Sequence, residues 1–258
     1  MASHAPLPLS GVVVAMNERD RIGRCLESLL EVCTEVVLVD SGSTDGTVEL
    51  AAGMGVRVVH HDWPGFAAQK NFAISQASQP WVLLLDADEW LEPPARDALR
   101  RLFASGEAAR ADVWLLLRRT HFLGRAMQAG SFAREPVQRL FRSHHRHAEV
   151  PVHEYLLTDG SRVVRSTIRL EHDTARDPGE YWRKLQRYAR LSAEASAQRG
   201  RRSWPGRGLL AAAAYLVKNL LLRGGLVDGP RAWHFHWLHA RYAALKYRLL
   251  LQQARASR

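Results

Sequence analysis

Three acidic side chains follow a run of apolar residues in WVLLLDADEW, residues 81–90. The apolar run indicates a buried strand, and Asp86, Asp88 and Glu89 stand at its carboxyl end. A carboxylate in that position costs several kcal/mol unless a cation, a hydrogen-bond donor or water meets it. Two carboxylates at this spacing suit Mg²⁺ or Mn²⁺, and Mg²⁺ usually shares its coordination shell with substrate phosphates. The spacing therefore predicts a metal site that takes a nucleotide diphosphate.

A second interpretation of the same carboxylates needs no metal. The residues that follow, LEPPARDAL, open with Pro93 and Pro94 as many helices do, so Asp86 and Asp88 would only cap that helix. The metal interpretation is favoured because another strand-ending acid, Asp40, belongs to the same edge of the predicted sheet.

Asp40 ends the apolar part of VVLVDSGSTDGT, residues 36–47. Small residues and glycines after it predict a tight turn into a helix capped by Ser43 or Thr44. No Gly-Lys-Ser/Thr follows, so the turn is not a P-loop. An ordinary strand-to-helix turn is the alternative.

The elements that would position these acids alternate along the first half of the chain. Strands are predicted at 12–16, 35–40, 56–60, 81–86 and 112–119, with segments of helical periodicity between them. This alternation predicts an α/β fold with a mostly parallel sheet covered by helices on both faces. In such sheets the ligand binds beyond the carboxyl ends of the strands, where Asn17 and Glu18 also follow the first strand.

The second half of the chain has a different character. Residues 120–172 are irregular, with short strands predicted at 137–141 and 162–170, and the chain is helical from Pro178 onward. We therefore predict a nucleotide-binding and catalytic domain at 1–175, which the resemblance described below identifies with nucleotide-sugar binding, and a basic helical extension at 176–258.

Charge divides the chain in the same way. Residues 1–110 carry 9 Lys/Arg and 15 Asp/Glu, whereas residues 111–258 carry 27 and 11. The helices from 209 onward mix Arg and Lys with Leu, Tyr and Trp, which suits the headgroup layer of an anionic membrane. Packing onto the catalytic domain with the charges in water is the alternative. The run at 209–222 contains Lys218 and is too short for a spanning helix, so none is expected.

Four segments in this order resemble family 2 glycosyltransferases: VVVAMNERDRIGRCLESL, VVLVDSGSTDGT, QKNFAISQA and WVLLLDADEW. The resemblance covers residues 9–175 and implies an A-type, Rossmann-like fold. More narrowly, WPGFAAQKNFAI, RRTHFLG, VQRLF, PVHE and the late GLVDGPRAW and ALKY segments are similar to the branch of lipopolysaccharide-core β-1,4-glucosyltransferases.

The resemblance implies a role for each matching residue. The nucleotide pocket would be formed by Ala15, Asn17, Glu18 and Asp40, with Asp40 holding the base or ribose. Lys70 and Asn71 would lie against the nucleotide or its diphosphate, although Lys70 would also fit as a solvated helix charge. Asp86 and Asp88 would hold ribose and metal, Asp88 being the stronger ligand, while Glu89 orients them.

The catalytic base implied by the resemblance is Glu135, because the family places an acid a few residues before its Arg-Leu-Phe segment. The glutamate stands where aspartate is commoner, and Pro136 follows it. The alternative is a surface glutamate paired with Arg134 or Arg139.

The PVHE segment supplies a further pair of site residues. Glu154 is the reserve base, and His153 is predicted to contact the metal or diphosphate unless it is only a packing residue. Arg139 would help to neutralise the diphosphate. Two other histidine groups, at 143–147 and 234–239, lack zinc-site spacing and are expected to bind no metal.

These features together predict an inverting, metal-dependent transfer of a hexose, glucose foremost, from a UDP-sugar to a saccharide on lipopolysaccharide core or a related glycolipid. With two cysteines and no signal peptide, the protein is expected in the cytoplasm, peripheral on the inner face of the membrane. The alternatives are a nucleic-acid-binding protein using the basic helices and a phosphohydrolase with Asp86 as nucleophile and Asp88 as acid. No nucleic-acid partner is expected, because no reading motif is present.

Overall fold

A computed structural model describes residues 5–149, 155–175 and 177–256. Within these residues the chain forms nine β-strands and seven α-helices, joined by short 3₁₀ and π-helical turns. Contacts divide the chain into two compact units. The first takes in Met1–Arg118 and Glu135–His172, and the second takes in Arg119–Arg134 and Asp173–Arg258.

The strands in chain order are β1 Leu7–Ala15, β2 Cys33–Asp40, β3 Arg57–His60, β4 Trp81–Asp86, β5 Glu89–Trp90, β6 Val113–Phe122, β7 Arg125–Ala126, β8 Glu135–Arg142 and β9 Val163–Ala175. The helices are α1 Arg19–Leu30, α2 Thr47–Gly53, α3 Phe66–Ser75, α4 Pro93–Ala104, α5 Pro178–Gln198, α6 Arg207–Leu216 and α7 Gly229–Ala256.

The strands form one sheet in the order β3-β2-β1-β4-β8-β6-β9-β5, with β7 paired to β6. The first four are parallel, and β8 lies antiparallel to both β4 and β6. The predicted α/β class with a mostly parallel sheet and C-terminal helices is therefore confirmed. The segment that looked irregular supplies β8 and β9, and β9 is the longest of the described strands.

Both faces of β1, β2 and β4 are largely buried, which explains their nearly continuous apolar sequences. One face packs against α1 and α4 through side chains that include Val13, Leu38 and Leu83. The other face packs against α3 through side chains that include Val12 and Leu84. Because burial on both sides leaves no place for charge inside these strands, their charged residues lie towards the strand ends.

The second unit has its own core beneath its helices. Phe122, Tyr181, Leu185, Phe235 and Leu238 are buried together there. Helix α5 begins with Pro178, and the carboxylate of the preceding Asp177 accepts the Glu180 amide hydrogen at 2.5 Å. These are favourable start signals for a helix, so its first residue agrees with the predicted one.

No single helix in the described ranges has both the length and the apolar composition to cross a bilayer. One pair of helical segments satisfies both conditions when the two are taken together. The pair consists of Arg207–Leu222 and Gly225–Ala254, which meet at a 79° bend.

Candidate active site

The carboxyl ends of β1, β2 and β4 bring the predicted acids to one edge of the sheet. In the parallel register Ala15 of β1 stands beside Asp40 of β2, and the preceding Val14 stands beside Asp86 of β4. Asp40 and Asp86 therefore flank β1. The prediction that the acids converge on one rim is confirmed for these two residues.

The loops after β1 and β2 are locked together by hydrogen bonds. The Asn17 amide donates to Ser43 Oγ at 2.8 Å, and the Thr44 amide donates to Asn17 Oδ1 at 2.8 Å. The Glu18 amide donates to Thr47 Oγ1 at 3.0 Å. Asn17 has a φ of 58°, in the left-handed region that asparagine tolerates better than most residues. The two loops thus form one ordered lip at this edge.

Asp40 organises the turn that follows it. The carboxylate is buried, and its Oδ2 accepts the amide hydrogens of Gly42 and Ser43, each at 2.8 Å. Its Oδ1 accepts the Ser43 hydroxyl hydrogen. A charge so well supplied with donors is stable at a buried position.

The helix after this turn begins at Thr47, but its N-cap differs from the predicted one. The N-cap is Gly46, with φ 89°, and neither Ser43 nor Thr44 occupies that position. The carboxylate of Asp45 accepts the Thr47 amide hydrogen instead, at 3.0 Å. Ser43 and Thr44 are engaged with Asp40 and Asn17, so the predicted cap was wrong.

Asp86, at the end of β4, is held by two basic side chains. Lys70 Nζ lies 3.3 Å from its Oδ1, and Arg139 donates to its Oδ2. Arg139 also donates to Glu89 Oε1 at 2.8 Å, while Glu89 Oε2 accepts the Asp86 amide hydrogen at 3.0 Å. Lys70 is almost fully buried, so it is not a solvated helix charge.

Arg118 extends this network to the predicted base. Its guanidinium donates to Glu89 Oε1 at 3.1 Å and to Glu135 Oε2 at 2.7 and 3.1 Å. The side chain of Glu89 is fully buried, whereas that of Glu135 is 38% exposed. The network therefore runs from the protein interior to a carboxylate that solvent can reach. Glu135 pairs with Arg118, and not with the Arg134 or Arg139 that its surface alternative named.

Opposite charges determine how the buried groups ionise. Burial alone would raise the pKa of Asp86, but the attraction of Arg139, Lys70 and Arg118 lowers that pKa well below its usual value. Burial likewise would lower the pKa of Arg139, yet Asp86 and Glu89 raise it above its usual value. Asp86, Arg118 and Arg139 are therefore all charged at neutral pH.

Asp88 has a different neighbour. Its Oδ2 lies 3.3 Å from Nε2 of His172, and both side chains are nearly buried. His172 belongs to β9, which pairs with β5 so that Glu89 stands beside His172. The sequence analysis missed His172. Its only local signal is a histidine between two acids in LEHDT, residues 170–174, and that signal does not name Asp88 as the partner.

The two aspartates therefore differ as metal ligands. Asp86 is neutralised by Lys70 and Arg139, whereas Asp88 and His172 offer a carboxylate oxygen and an imidazole nitrogen to a common point. That pair of donors fits a divalent ion that takes its remaining ligands from phosphate and water. Across the described ranges no group of three or more His, Cys, Asp and Glu side chains is gathered as a metal site.

The helix-capping alternative for these aspartates is wrong. Helix α4 begins at Pro93, and its N-cap is Glu92. Neither Asp86 nor Asp88 occupies that position.

The remaining predicted residues lie as follows. The side-chain amide of Asn71 is engaged with the backbone of His147, accepting at 2.7 Å and donating at 3.0 Å. Ala15 is buried, and its carbonyl accepts the Ser41 amide hydrogen at 3.0 Å. His153 and Glu154 lie outside the described residues.

The second unit contains a pocket of about 350 Å³ that involves none of these residues. It is lined by the β6–β7 hairpin and the start of α7, including Phe122, Met127, Asp228 and Arg231. No reacting group of the predicted chemistry lines it, so the edge of the sheet is the better candidate for catalysis.

The family of this chain follows from its similarity to known proteins. Residues 10–144, slightly more than half of the chain, match the family model described as glycosyl transferase family 2. The chain belongs to glycosyl transferase family 2. This membership confirms the resemblance noted in the sequence, and with the observed sheet it confirms the predicted A-type fold.

Two curated relatives illustrate the similarity to this glycosyltransferase. The lipopolysaccharide core biosynthesis glycosyltransferase LpsC of Rhizobium meliloti (strain 1021) is 34% identical over 203 residues, which cover 76% of this chain and 74% of LpsC. The uncharacterized glycosyltransferase RC0292 of Rickettsia conorii is 40% identical over 97 residues, covering 38% of this chain and 34% of that protein.

Solved structures were also matched. TarS 1-349 of S. aureus in complex with UDP matches with a TM-score of 0.47 and 15% identity, covering 98% of this chain and 92% of that one. Glucosyl-3-phosphoglycerate synthase from Mycobacterium tuberculosis, in complex with Mn²⁺, UDP and glucosyl-3-phosphoglycerate, matches with a TM-score of 0.36 and 25% identity over 44% of each chain.

Proposed function

We propose that this glycosyltransferase moves a hexose, glucose foremost, from a UDP-sugar to a saccharide on lipopolysaccharide core or a related cell-envelope glycolipid, with inversion at the anomeric carbon. The observation that carries the proposal is that Asp40 and Asp86 flank β1 at one edge of the sheet. Asp88 follows Asp86 two residues later in the chain, and its carboxylate pairs with His172. Similarity to LpsC supports the class of acceptor.

The donor is proposed to lie across the lip formed by the loops after β1 and β2. Ala15, Asn17, Glu18 and Asp40 would face the nucleoside, as the family resemblance implies. Because the lip is already tied by hydrogen bonds between Asn17, Ser43 and Thr44, little ordering would be needed when the nucleotide binds.

Asp88 and His172 are the residues proposed to hold Mg²⁺ or Mn²⁺, with His153 as the third ligand that the family resemblance implies. When bound, such an ion supplies positive charge to the leaving diphosphate. Asp86, which is paired with Lys70 and Arg139, is proposed to accept a hydrogen bond from a ribose hydroxyl group instead. Lys70 and Arg139 are proposed to lie against the diphosphate, as the family resemblance implies.

Glu135 is proposed as the base, with Glu154 in reserve. Its Oε2 is fixed by Arg118, which leaves Oε1 to take the proton from the acceptor hydroxyl. The acceptor hydroxyl oxygen forms a bond to the anomeric carbon. At the same time the bond from this carbon to the diphosphate oxygen breaks, and its electron pair leaves with the nucleoside diphosphate. One displacement inverts the carbon and requires no covalent sugar intermediate.

The acceptor is proposed to be lipid-linked, which places the enzyme on the inner face of the cytoplasmic membrane. The 12 Lys/Arg and single Asp of residues 199–258 suit an anionic membrane surface at that location.

A donor assay with two matched variants tests the proposal. Asp88→Asn should lower kcat for nucleoside diphosphate release by on the order of 100-fold, because charge on the leaving group loses its stabilisation. The measurement is UDP release from a panel of nucleotide sugars, with and without Mn²⁺, alongside thermal shifts with each donor. Glu135→Gln, assayed in parallel, should lower kcat while the thermal shift caused by the donor is retained.

The control is Asp97→Asn, which changes an exposed aspartate on α4 that pairs with nearby Arg100. Its kcat should equal that of the unmodified enzyme. Undiminished, Mn²⁺-independent turnover by Asp88→Asn, with its melting temperature unchanged, would rule out the proposed role of the site.

A further inference from the structure

The bend between α6 and α7 exposes an unusual amount of apolar surface. We call this bend the elbow and define it as Val217–Leu222, a π-helical turn, followed by the 3₁₀ turn Gly225–Asp228 and the linking residues. Leu222 and Val227 are 79% and 77% exposed. The other exposed large apolar side chains of the elbow are Val217, Leu221 and Leu226.

Hydrogen bonds on the inner side of the elbow fix the π-helical turn. Asn219 is buried, donates to the Tyr215 carbonyl at 2.9 Å and accepts from Ser131 Oγ at 2.9 Å. Arg223 donates to the same Ser131 hydroxyl oxygen. Because these polar groups hold the inner face, the apolar side chains of the turn are directed outward.

Close packing fixes the second turn. A Cβ at Gly225 would lie 2.6 Å from the Asn219 carbonyl oxygen and 3.0 Å from His236 Nε2, so only glycine fits between them. Trp233 Nε1 donates to the Leu226 carbonyl at 3.1 Å. The two turns are therefore held against each other, and Leu222 and Val227 cannot turn inward without breaking these contacts.

Three basic residues lie close in the chain to the exposed apolar side chains. Lys218 and Arg223 belong to the elbow, and Arg231 follows it on the first turns of α7. The elbow's single acid, Asp228, accepts the amide hydrogens of Gln128 at 2.9 Å and Ala129 at 3.1 Å. The acid is thus directed to the protein's own backbone, whereas Lys218, Arg223 and Arg231 are exposed, although Arg223 donates one hydrogen bond to Ser131 and Arg231 donates one to the Leu123 carbonyl.

We propose that the elbow inserts Leu221, Leu222 and Val227 into the headgroup layer of a membrane rich in anionic lipid. Exposed apolar side chains with exposed basic residues close to them in the chain fit such a surface, since lipid adapts its shape around an apolar side chain and its phosphates attract Lys and Arg side chains. The site is independent of the sugar-transfer chemistry, because none of its residues belongs to the proposed donor or base sites.

Vesicle binding by a double variant tests the elbow. Leu222→Ser with Val227→Ser should lower the partition coefficient on vesicles of phosphatidylglycerol and phosphatidylcholine by about tenfold or more, because the buried apolar area is lost. The measurement is co-sedimentation of the full chain with sucrose-loaded vesicles. Release of UDP from donor in the absence of vesicles should be unchanged.

The matched control is Leu30→Ser with Val163→Ser, which removes one leucine and one valine, 39% and 40% exposed, from the first unit. It should bind vesicles as the unmodified chain does. Equal binding by both double variants would overturn the proposal. So would sedimentation-velocity data in which the unmodified chain forms dimers that the elbow variant loses, since a second copy would then cover the elbow. Preserved melting curves for both variants establish that neither result comes from misfolding.

Discussion

Asp86 and Asp88 illustrate how two identical residues acquire different chemistry. Asp86 meets Lys70 and Arg139, so its charge is already neutralised, whereas Asp88 meets His172, which is itself a good metal ligand. Glu89 is fully buried, and the hydrogen bonds from two arginines offset the cost of burying its negative charge. The acids at the end of β4 thus have different partners, and in the proposed function only Asp88 would bind the metal.

His239 is a buried titratable residue outside the candidate site. It lies against Phe235 and Tyr215, and it shares a 2.7 Å hydrogen bond with the Tyr181 hydroxyl group. Burial lowers the pKa of His239 from 6.5 to about 3, and neighbouring His236 adds to this effect. The folded state therefore keeps the imidazole neutral where the unfolded state would protonate it.

We predict a pH dependence of stability from His239. Between about pH 6.5 and pH 3 the unfolded chain binds a proton that the folded chain does not, so the free energy of unfolding decreases as the pH falls. The slope from this residue is about 1.4 kcal/mol per pH unit. His239→Gln should remove that part of the slope, measured by urea unfolding at a series of pH values.

The control is His144→Gln, because His144 is exposed. Its pH profile should match that of the unmodified chain. An unchanged slope in His239→Gln would mean that His239 is protonated in the folded state. His236, whose pKa is also lowered by burial, will leave a residual slope.

At the scale of elements, the contact between α6 and α7 depends on a glycine. A Cβ placed on Gly208 of α6 would lie 2.7 Å from the carbonyl oxygen of Ala244 in α7. Backbone atoms cannot yield as the end of a side chain can. The close approach of these two helices thus requires a residue without a side chain at position 208.

We predict that Gly208→Ala destabilises the second unit. Forced separation of α6 from α7 should cost about 1–3 kcal/mol of unfolding free energy, as overpacking does elsewhere. Urea unfolding followed by circular dichroism measures the change.

Gly53→Ala is the matched control, since Gly53 ends α2 and a Cβ there meets nothing within 4 Å. It should leave stability unchanged or raise it by about 0.4–1 kcal/mol. If Gly208→Ala behaved like Gly53→Ala, α6 and α7 would not be in the close contact described.

At the scale of the whole molecule, charge is distributed unevenly along the sequence. Asp40, Asp86, Asp88 and Glu89 come from residues 1–110, which carry 9 Lys/Arg and 15 Asp/Glu, whereas Glu135 and the elbow come from residues 111–258, which carry 27 and 11. In the proposed function an anionic donor would be held through a few buried, individually paired basic residues. An extended anionic surface would be met by many exposed ones, each contributing about 1 kcal/mol.

We predict that membrane binding depends on salt. Raising NaCl from about 0.1 M to about 1 M shortens the Debye length from about 10 Å to about 3 Å, so the unmodified chain should bind anionic vesicles at least about tenfold more weakly. The measurement is the same co-sedimentation assay. Phosphatidylcholine vesicles serve as the control and should show weak binding at both concentrations. Binding to anionic vesicles that is insensitive to salt would exclude an electrostatic contribution.

Much of the fold was predictable because its signals are local. The runs that form β1, β2 and β4 are buried on both faces, so their apolar character alone indicates strands. Parallel pairing then brings their carboxyl ends to one edge, which is why the convergence of Asp40 and Asp86 could be predicted. The helix start at Pro178 is equally local, because its capping residue is adjacent in sequence.

The partners of the site residues could not be predicted because they come from distant segments. His172 reaches Asp88 only because β9 pairs with β5, and Arg118 reaches Glu135 only because β6 pairs with β8. Nothing near Asp86 in sequence indicates that Lys70 and Arg139 neutralise it while His172 pairs with Asp88.

The amino-acid sequence by itself determined the family, the α/β class and the edge of the sheet where chemistry is possible, since each depends on patterns read over a few adjacent residues. Only the tertiary structure decided which acid is paired with which base, and that the apolar residues of the elbow face outward. Those outcomes depend on contacts between segments far apart in the chain, and burial and pairing are properties of such contacts.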